Sequence, residues 1–415
     1  MLFNHSRAEA KMQEAGVDAI VGATPRNFYY ASEYWTTVAK WGHQEPIFAA
    51  IVAQDRSTEA QMVIPEGFFG NIFFYPTWIP KVRPVEMMNT ALINHEPEEV
   101  RLEPFQSDAE AAYAQRVVAP LAENLIEGIV GGLKDMGLAR ARVAFDDMRI
   151  AGWVKQELPD LDVVDGHDLW LDIRKVKTAE EIERLRTGAQ INQGAIEHII
   201  PLIAPGVVWG EVARAYSEYV RSHGAEVLAP ERALQFGSEY EGEYYPDMLF
   251  GDIDWRVRSG KPIIFESWGT FKDYHFDFSR TVFVGEPSSE YVEMCATIHN
   301  AWREGIQTRV RPGISTRELF KGGMELLYDA PEVPTPKKTL PFFHSIGLDI
   351  IEHPSGFPAF GRLKPWELEE NTVLNCEFLY FGHTLDPFHI ESTFVVTADG
   401  AECFQTMPEQ LRVLA

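Results

Sequence analysis

The chain has 415 residues and a net charge of −25, from 37 basic and 62 acidic side chains. That balance argues against nucleic acid as a partner, because phosphate binding needs clustered Lys and Arg. No apolar run reaches the roughly 18 residues of a membrane-spanning helix, and the length favours two domains.

The N-terminus is amphipathic and mixed in charge, without the apolar core of a signal peptide, which points to a cytoplasmic protein. Cys295, Cys376 and Cys403 are dispersed and form no CxxC pair, as expected in a reducing compartment. Residues 5–15 read as a helix stopped by Gly16, followed by a strand at Val17-Asp18-Ala19-Ile20-Val21. Ala23-Thr24-Pro25-Arg26-Asn27 is turn chemistry. Residues 47–53 and 62–64 read as buried strands. Residues 110–136 read as one long helix, with Leu121, Leu125, Ile129 and Leu133 at period four. Strands follow at residues 142–146 and 163–165. The alternation predicts a three-layer α/β domain over residues 1–170.

Residues 170–177 read as a bridge to a second domain, 171–415. Thr178 and Glu181 fit a capping box opening a helix that ends near Pro205-Gly206. A second helix runs over 209–223. The plan then recurs: a helix over 289–310, Pro312-Gly313, and a helix capped at Ser315. Pro205-Gly206-Val207 aligns with Pro312-Gly313-Ile314, a duplication of about 107 residues. Strand material dominates the rest, which predicts an α+β domain.

Within that domain, apolar strand segments carry Glu266, Asp277, His344, Glu377 and Glu391. Carboxylates among apolar neighbours are costly to bury without a positive partner. Each residue taken alone also reads blandly: Glu377 as a solvent-facing strand residue, His344 as a core histidine, and residues 265–285 as a surface hairpin with a polar tip. Together, four carboxylates and one histidine make a donor set for two divalent ions. Two such metals, about 3.5–4 Å apart, activate a water for hydrolysis.

Several motifs carry a family resemblance. They are Gly16-Val17-Asp18-Ala19-Ile20-Val21 with Asn27-Phe28-Tyr29-Tyr30, then Ile173-Arg174-Lys175-Val176-Lys177-Thr178, then Asp277-Phe278-Ser279-Arg280-Thr281. His344-Ser345-Ile346-Gly347-Leu348-Asp349, Glu377 and His389-Ile390-Glu391 complete the set. In that order and spacing the chain resembles the creatinase/aminopeptidase P/prolidase family (M24). The resemblance implies a creatinase-type N-terminal domain and a catalytic pita-bread domain with pseudo-twofold duplication. It also implies a homodimer in which the N-terminal domain of one subunit lies near the partner's site. Metal ligands would be Glu266, Asp277, His344, Glu377 and Glu391, holding two divalent ions (Mn, Fe, Co or Zn). Glu377 would shuttle protons, and His344 and His353 would be further catalytic residues.

Three departures bear on the substrate. Glu266 stands where the family usually has aspartate. Ile351 stands where peptidases carry a second histidine, with His353 two residues on. Residues 243–248 lack the usual substrate-contacting histidine. Candidates to take over substrate contact are His275, Tyr245, His389, Trp35 and Trp41, the tryptophans as a pocket wall or cation–π box. The leading expectation is hydrolysis of a C–N bond, amide or peptide, in a small polar or short-peptide substrate, by a water bridging two metals. Ectoine is one such substrate. The alternatives are an Xaa-Pro dipeptidase or aminopeptidase, a metal-dependent lyase acting on dimethylsulfoniopropionate, and a metal-free creatinase-like hydrolase or non-catalytic binding module.

Overall fold

The computed structural model describes residues 1–34, 46–65, 68, 77–86, 116–118, 121–228, 234–235, 238–240, 243–245, 254–334, 339–355, 366–382 and 384–415. It divides into two compact units, Met1–Arg174 and Lys175–Ala415.

In the first unit, α1 (His5–Ala15) ends on Gly16 in the left-handed region, φ 63°, where a side chain would be strained. The strands are β1 (Ala19–Gly22), β2 (Ala49–Ala53), β3 (Gln61–Pro65), β4 (Lys81–Val85), β5 (Arg142–Phe145) and β6 (Asp162–Asp165). They form one sheet in the order β4-β3-β2-β1-β5-β6. Ala19, Val21, Ile51, Val63 and Phe145 pack with α3 (Leu125–Asp135) and α4 (Met148–Glu157). Gly22 faces the other way: a Cβ there would lie 2.9 Å from the Trp170 ring, on α5 (His167–Lys175). Period two along a strand therefore gives three layers.

Two local expectations are corrected here. The turn at residues 23–27 is the start of α2 (Pro25–Ser32), with Pro25 in its first turn, where a missing N–H is harmless. The half-buried Asp146 carboxylate holds that start by accepting from the Ala23 and Thr24 amides and from Asn27. The long helix over 110–136 is shorter. Residues 110–115, 119 and 120 lie outside the described residues, and α3 begins only after Asn124, whose side chain accepts from the Glu127 N–H at 3.0 Å. Before it, Val117 and Ala122 pair with Val82 and Val85 in parallel bridges, and Pro120 lies between them. The period-four pattern was real only from Leu125 onwards.

In the second unit, Thr178 and Glu181 make both bonds of the expected capping box on α6 (Ala179–Ile199). Ser315 and Glu318 do the same on α9 (Thr316–Leu327). Between them lie α7 (Trp209–Ser222) and α8 (Ser289–Gly305). The duplication is written into the backbone. The Gly206 N–H donates to Val257 O, and Trp209 N–H to Trp255 O; 107 residues on, Gly313 donates to Leu368 O and Thr316 to Trp366 O. Both glycines sit in the left-handed region, φ 89° and 81°.

The strands are β7 (Glu226–Val227), β8 (Leu234–Gln235), β9 (Ser238–Tyr240), β10 (Glu243–Tyr245), β11 (Lys261–Phe271), β12 (Tyr274–Val284), β13 (Thr339–Ser345), β14 (Glu352–Ser355), β15 (Val373–Tyr380), β16 (Phe388–Val396), β17 (Ala401–Cys403) and β18 (Arg412–Leu414). A ten-stranded sheet runs β14-β13-β15-β16-β12-β11-β7, with β8, β17 and β18 attached to it. One face is apolar. Phe265, Phe276 and Phe278 pack with α6 and α7, and Phe343, Leu374, Phe378, Ile390 and Phe394 pack with α8 and α9. Alternation then assigns Glu266, Asp277, His344, Glu377, His389 and Glu391 to the opposite face.

The stretch 265–285 is not two short strands around a polar tip. β11 and β12 are continuous, paired from Lys261↔Val284 to Phe271↔Tyr274. The turn is Lys272-Asp273, both at positive φ (47° and 70°), as a two-residue hairpin of this twist requires. The polar residues belong to the ladder because the phenylalanines between them are core.

Candidate metal centre

Strand register sets the site. Glu266 lies opposite Ser279, Ser279 opposite Glu391, and Glu391 opposite Glu377. These four residues form one row across β11, β12, β16 and β15. Asp277 lies one pleat along from Ser279. His344 lies opposite Asn375 on β13, one pleat from Glu377. The row brings together residues more than a hundred positions apart in the chain.

The His344 ring is the hub on one side. Its Nε2 lies 3.8 Å from Asp277 Oδ2, 4.0 Å from Glu377 Oε1 and 3.9 Å from Glu391 Oε1. His389 is the hub on the other. Its Nε2 is 2.7 Å from Glu377 Oε2 and its Nδ1 is 2.9 Å from Glu266 Oε2. The second contact lacks hydrogen-bond alignment: His389 Nδ1 and Glu266 Oε2 are both without a hydrogen-bond partner among the described residues, as are Asp277 Oδ1 and Glu391 Oε2. All six side chains are buried.

The charges show what this arrangement lacks. Burial, then repulsion from Glu266 and Glu377, pushes the Asp277 carboxyl well above its ordinary range. Burial, then Asp277, Glu377 and Glu266, does the same to Glu391. Burial also pushes Glu377 up, but the hydrogen bond and charge of His389, with the charge of His344, hold it below its ordinary value. Burial lowers His389, yet Glu266 and Glu377 outweigh it and raise the imidazole to about 10. Four buried carboxylates facing two imidazoles, with several lone pairs unused, fit divalent cations: added positive charge relieves the repulsion. Two groups of ligand atoms lie within 4.8 Å of one another, Asp277–His344–Glu391 and Glu266–His389–Glu391.

The other expected residues fall as follows. His275 is buried on β12 beside Gly347, whose carbonyl accepts its backbone N–H at 2.8 Å. His353 stands against Trp366, ring centroids 5.7 Å apart. Tyr245 is on β10, paired with Ser238, and its side chain lies outside the described residues, as do Trp35 and Trp41.

Residues 183–398, just over half of the chain, match the family description metallopeptidase family M24. The chain belongs to metallopeptidase family M24. An Xaa-Pro dipeptidase of Pyrococcus furiosus is 25% identical over 235 residues, 57% of this chain and 64% of that protein. An ectoine hydrolase of Halomonas elongata is 28% identical over 174 residues, 40% of this chain and 42% of that protein. The chain thus spans less than two thirds of either relative's length. An X-Pro aminopeptidase of Thermotoga maritima has the same fold, with a TM-score of 0.69 at 17% identity over 99% of both chains. The pita-bread fold expected of an M24 chain is the fold found.

Two residues of this M24 site escaped the sequence reading. Asn375 Nδ2 donates to Glu391 Oε1 at 2.8 Å; its place two before Glu377 was the available signal. Arg280, buried on the helix-side face, donates to the backbone carbonyls of Glu391 (2.5 Å) and Ser279 (2.9 Å). It fixes the strand that carries Glu391.

Proposed function

We propose that the protein is a metal-dependent hydrolase cleaving a C–N bond, amide or peptide, in a small polar substrate such as ectoine. The observation that supports this reading is the meeting of Glu266, Asp277, His344, Glu377 and Glu391 on the sheet face opposite the apolar one, with carboxylate oxygens that have no hydrogen-bond partner among the described residues. One or two divalent ions (Mn, Fe, Co or Zn) held there would polarise the scissile carbonyl and lower the pKa of bound water.

Glu377 is the general base of this reading. It would accept the proton of the attacking water and return it to the leaving nitrogen. Asn375, donating to Glu391 Oε1, holds that carboxylate in place. His275, Tyr245, His353, Trp35 and Trp41 are the further substrate or catalytic groups of this reading. The reading includes a creatinase-type domain over 1–170, a catalytic domain over 171–415, and a cytoplasmic homodimer, which sedimentation would test.

A second reading, an Xaa-Pro dipeptidase, is favoured by the 25% identical dipeptidase of Pyrococcus furiosus. Against it stand Glu266 for aspartate and Ile351 for histidine. Losing preorganised donors of that kind costs about 10²–10³ in rate.

The test is metal analysis of the purified protein, followed by assays on ectoine, Xaa-Pro dipeptides and dimethylsulfoniopropionate before and after chelation. We expect one to two ions per chain and chelator-sensitive amide hydrolysis. Glu377→Gln should lower kcat by about 10²–10⁴. A fully active protein free of metal overturns the reading, and a fully active Glu377→Gln enzyme overturns the role of Glu377.

A further inference from the structure

We propose that His389 is itself a metal ligand, joining Glu266 and Glu391 through its Nδ1, so that the centre carries two imidazoles, one on each side of Glu391. This rests on the metal-dependent reading above.

Three observations converge on it. First, His389 Nδ1, Glu266 Oε2 and Glu391 Oε2 are all buried and without hydrogen-bond partners among the described residues. Nδ1 and Glu266 Oε2 stand 2.9 Å apart without the alignment of a hydrogen bond. Second, the ligand atoms fall into two triads that share one member, Asp277–His344–Glu391 and Glu266–His389–Glu391. A shared carboxylate between two triads is a layout for two neighbouring cations, since carboxylates bridge. Third, the other ring nitrogen is already committed: Nε2 lies 2.7 Å from Glu377 Oε2. With an N–H kept at Nε2 for that carboxylate, a cation at Nδ1 would take the place of the ring's second proton, the arrangement that metal-bound histidines use.

The strand backbone that carries the ring is also held. The His389 N–H donates to Thr281 Oγ1 at 2.9 Å, and that hydroxyl donates back to the His389 carbonyl at 2.8 Å. His389 is fully buried, so its contacts are all with protein. The chemical consequence is selectivity. A carboxylate-only second position suits Mn, whereas an imidazole shifts preference towards Fe, Co and Zn.

The experiment loads the full-length protein with Mn²⁺ and counts nitrogen couplings by pulsed electron paramagnetic resonance, with calorimetric titrations of Zn²⁺ and Mn²⁺ alongside. Wild type should show two inequivalent imidazole nitrogens, and His389→Gln only one. The same variant should bind its weaker Zn²⁺ at least about 10–100-fold less tightly, with a smaller change for Mn²⁺. If the variant fails to fold, the wild-type spectrum decides alone: two couplings support the inference, and one overturns it and leaves His389 as a fixed internal counter-charge. A protein that binds no ion refutes the metal-dependent reading itself, whereas bound ions with a single nitrogen coupling refute only the role of His389.

Discussion

Replacing Lys177 by methionine should destabilise the second unit by about 3–5 kcal/mol. Lys177 Nζ lies 2.7 Å from Glu352 Oε2, with the two side chains 1% and 3% exposed. The carboxylate is tied in further. Its Oε1 accepts the Asp349 N–H at 3.2 Å, and it fills the space a Cβ on Gly347 would need, 2.8 Å away. Gly347 in turn accepts the backbone N–H of His275. Removing one partner of a buried pair leaves the other charge buried without it, and about 3–5 kcal/mol is the usual cost. Replacing both, Lys177→Met with Glu352→Leu, removes the desolvation together with the attraction. The double variant should therefore recover more than half of the single variant's loss. Glu181, also buried nearby, feels both charges with opposite sign, so the double change leaves it little altered. Urea unfolding followed through the transition of residues 175–415 reads the effect. A Lys177→Met protein within about 1 kcal/mol of wild type, or a double variant as unstable as the sum of the singles, would refute the reasoning.

Glu181 gives a pH prediction. Burial, against the opposing charge of Lys177, raises its carboxyl from 4.5 to about 7. The folded state therefore binds more protons than the unfolded between those values, and stability falls as pH rises through that window, by about 3 kcal/mol in all. Glu181→Gln keeps the capping box, which accepts glutamine. It should match wild type near pH 5 and exceed it by about 3 kcal/mol at pH 8; an equal difference at both values sinks the assignment. Asn375→Ala removes the 2.8 Å donor to Glu391. It should weaken metal binding about 10–100-fold with the fold intact by circular dichroism, and unchanged affinity would contradict the positioning role.

Much was legible because its causes are local. The capping boxes at Thr178 and Ser315 are short-range bonds between residues three apart, and any chain bearing them starts a helix there. The 107-residue repeat showed through Pro-Gly pairs because each glycine must take a left-handed conformation. Asp277 and Glu391 stood out as carboxylates alternating with Phe278 and Ile390, so period two alone gave them one face.

The rest depended on distant partners. Residues before Leu125 carry helical spacing, yet Val117 and Ala122 pair with β4, because a sheet edge offered them more than a helix interrupted by Pro120. Within residues 265–285, core contacts from α6 and α7 turned an expected polar tip into ladder. His389 was read from its neighbours as a substrate contact, and only register placed it between Glu266 and Glu377. The sequence by itself determined which side chains share a strand face, since that needs only the pleat. Tertiary structure alone decided which of them meet, because register across β11, β12, β16 and β15 is fixed by burying the opposite, apolar face against four helices.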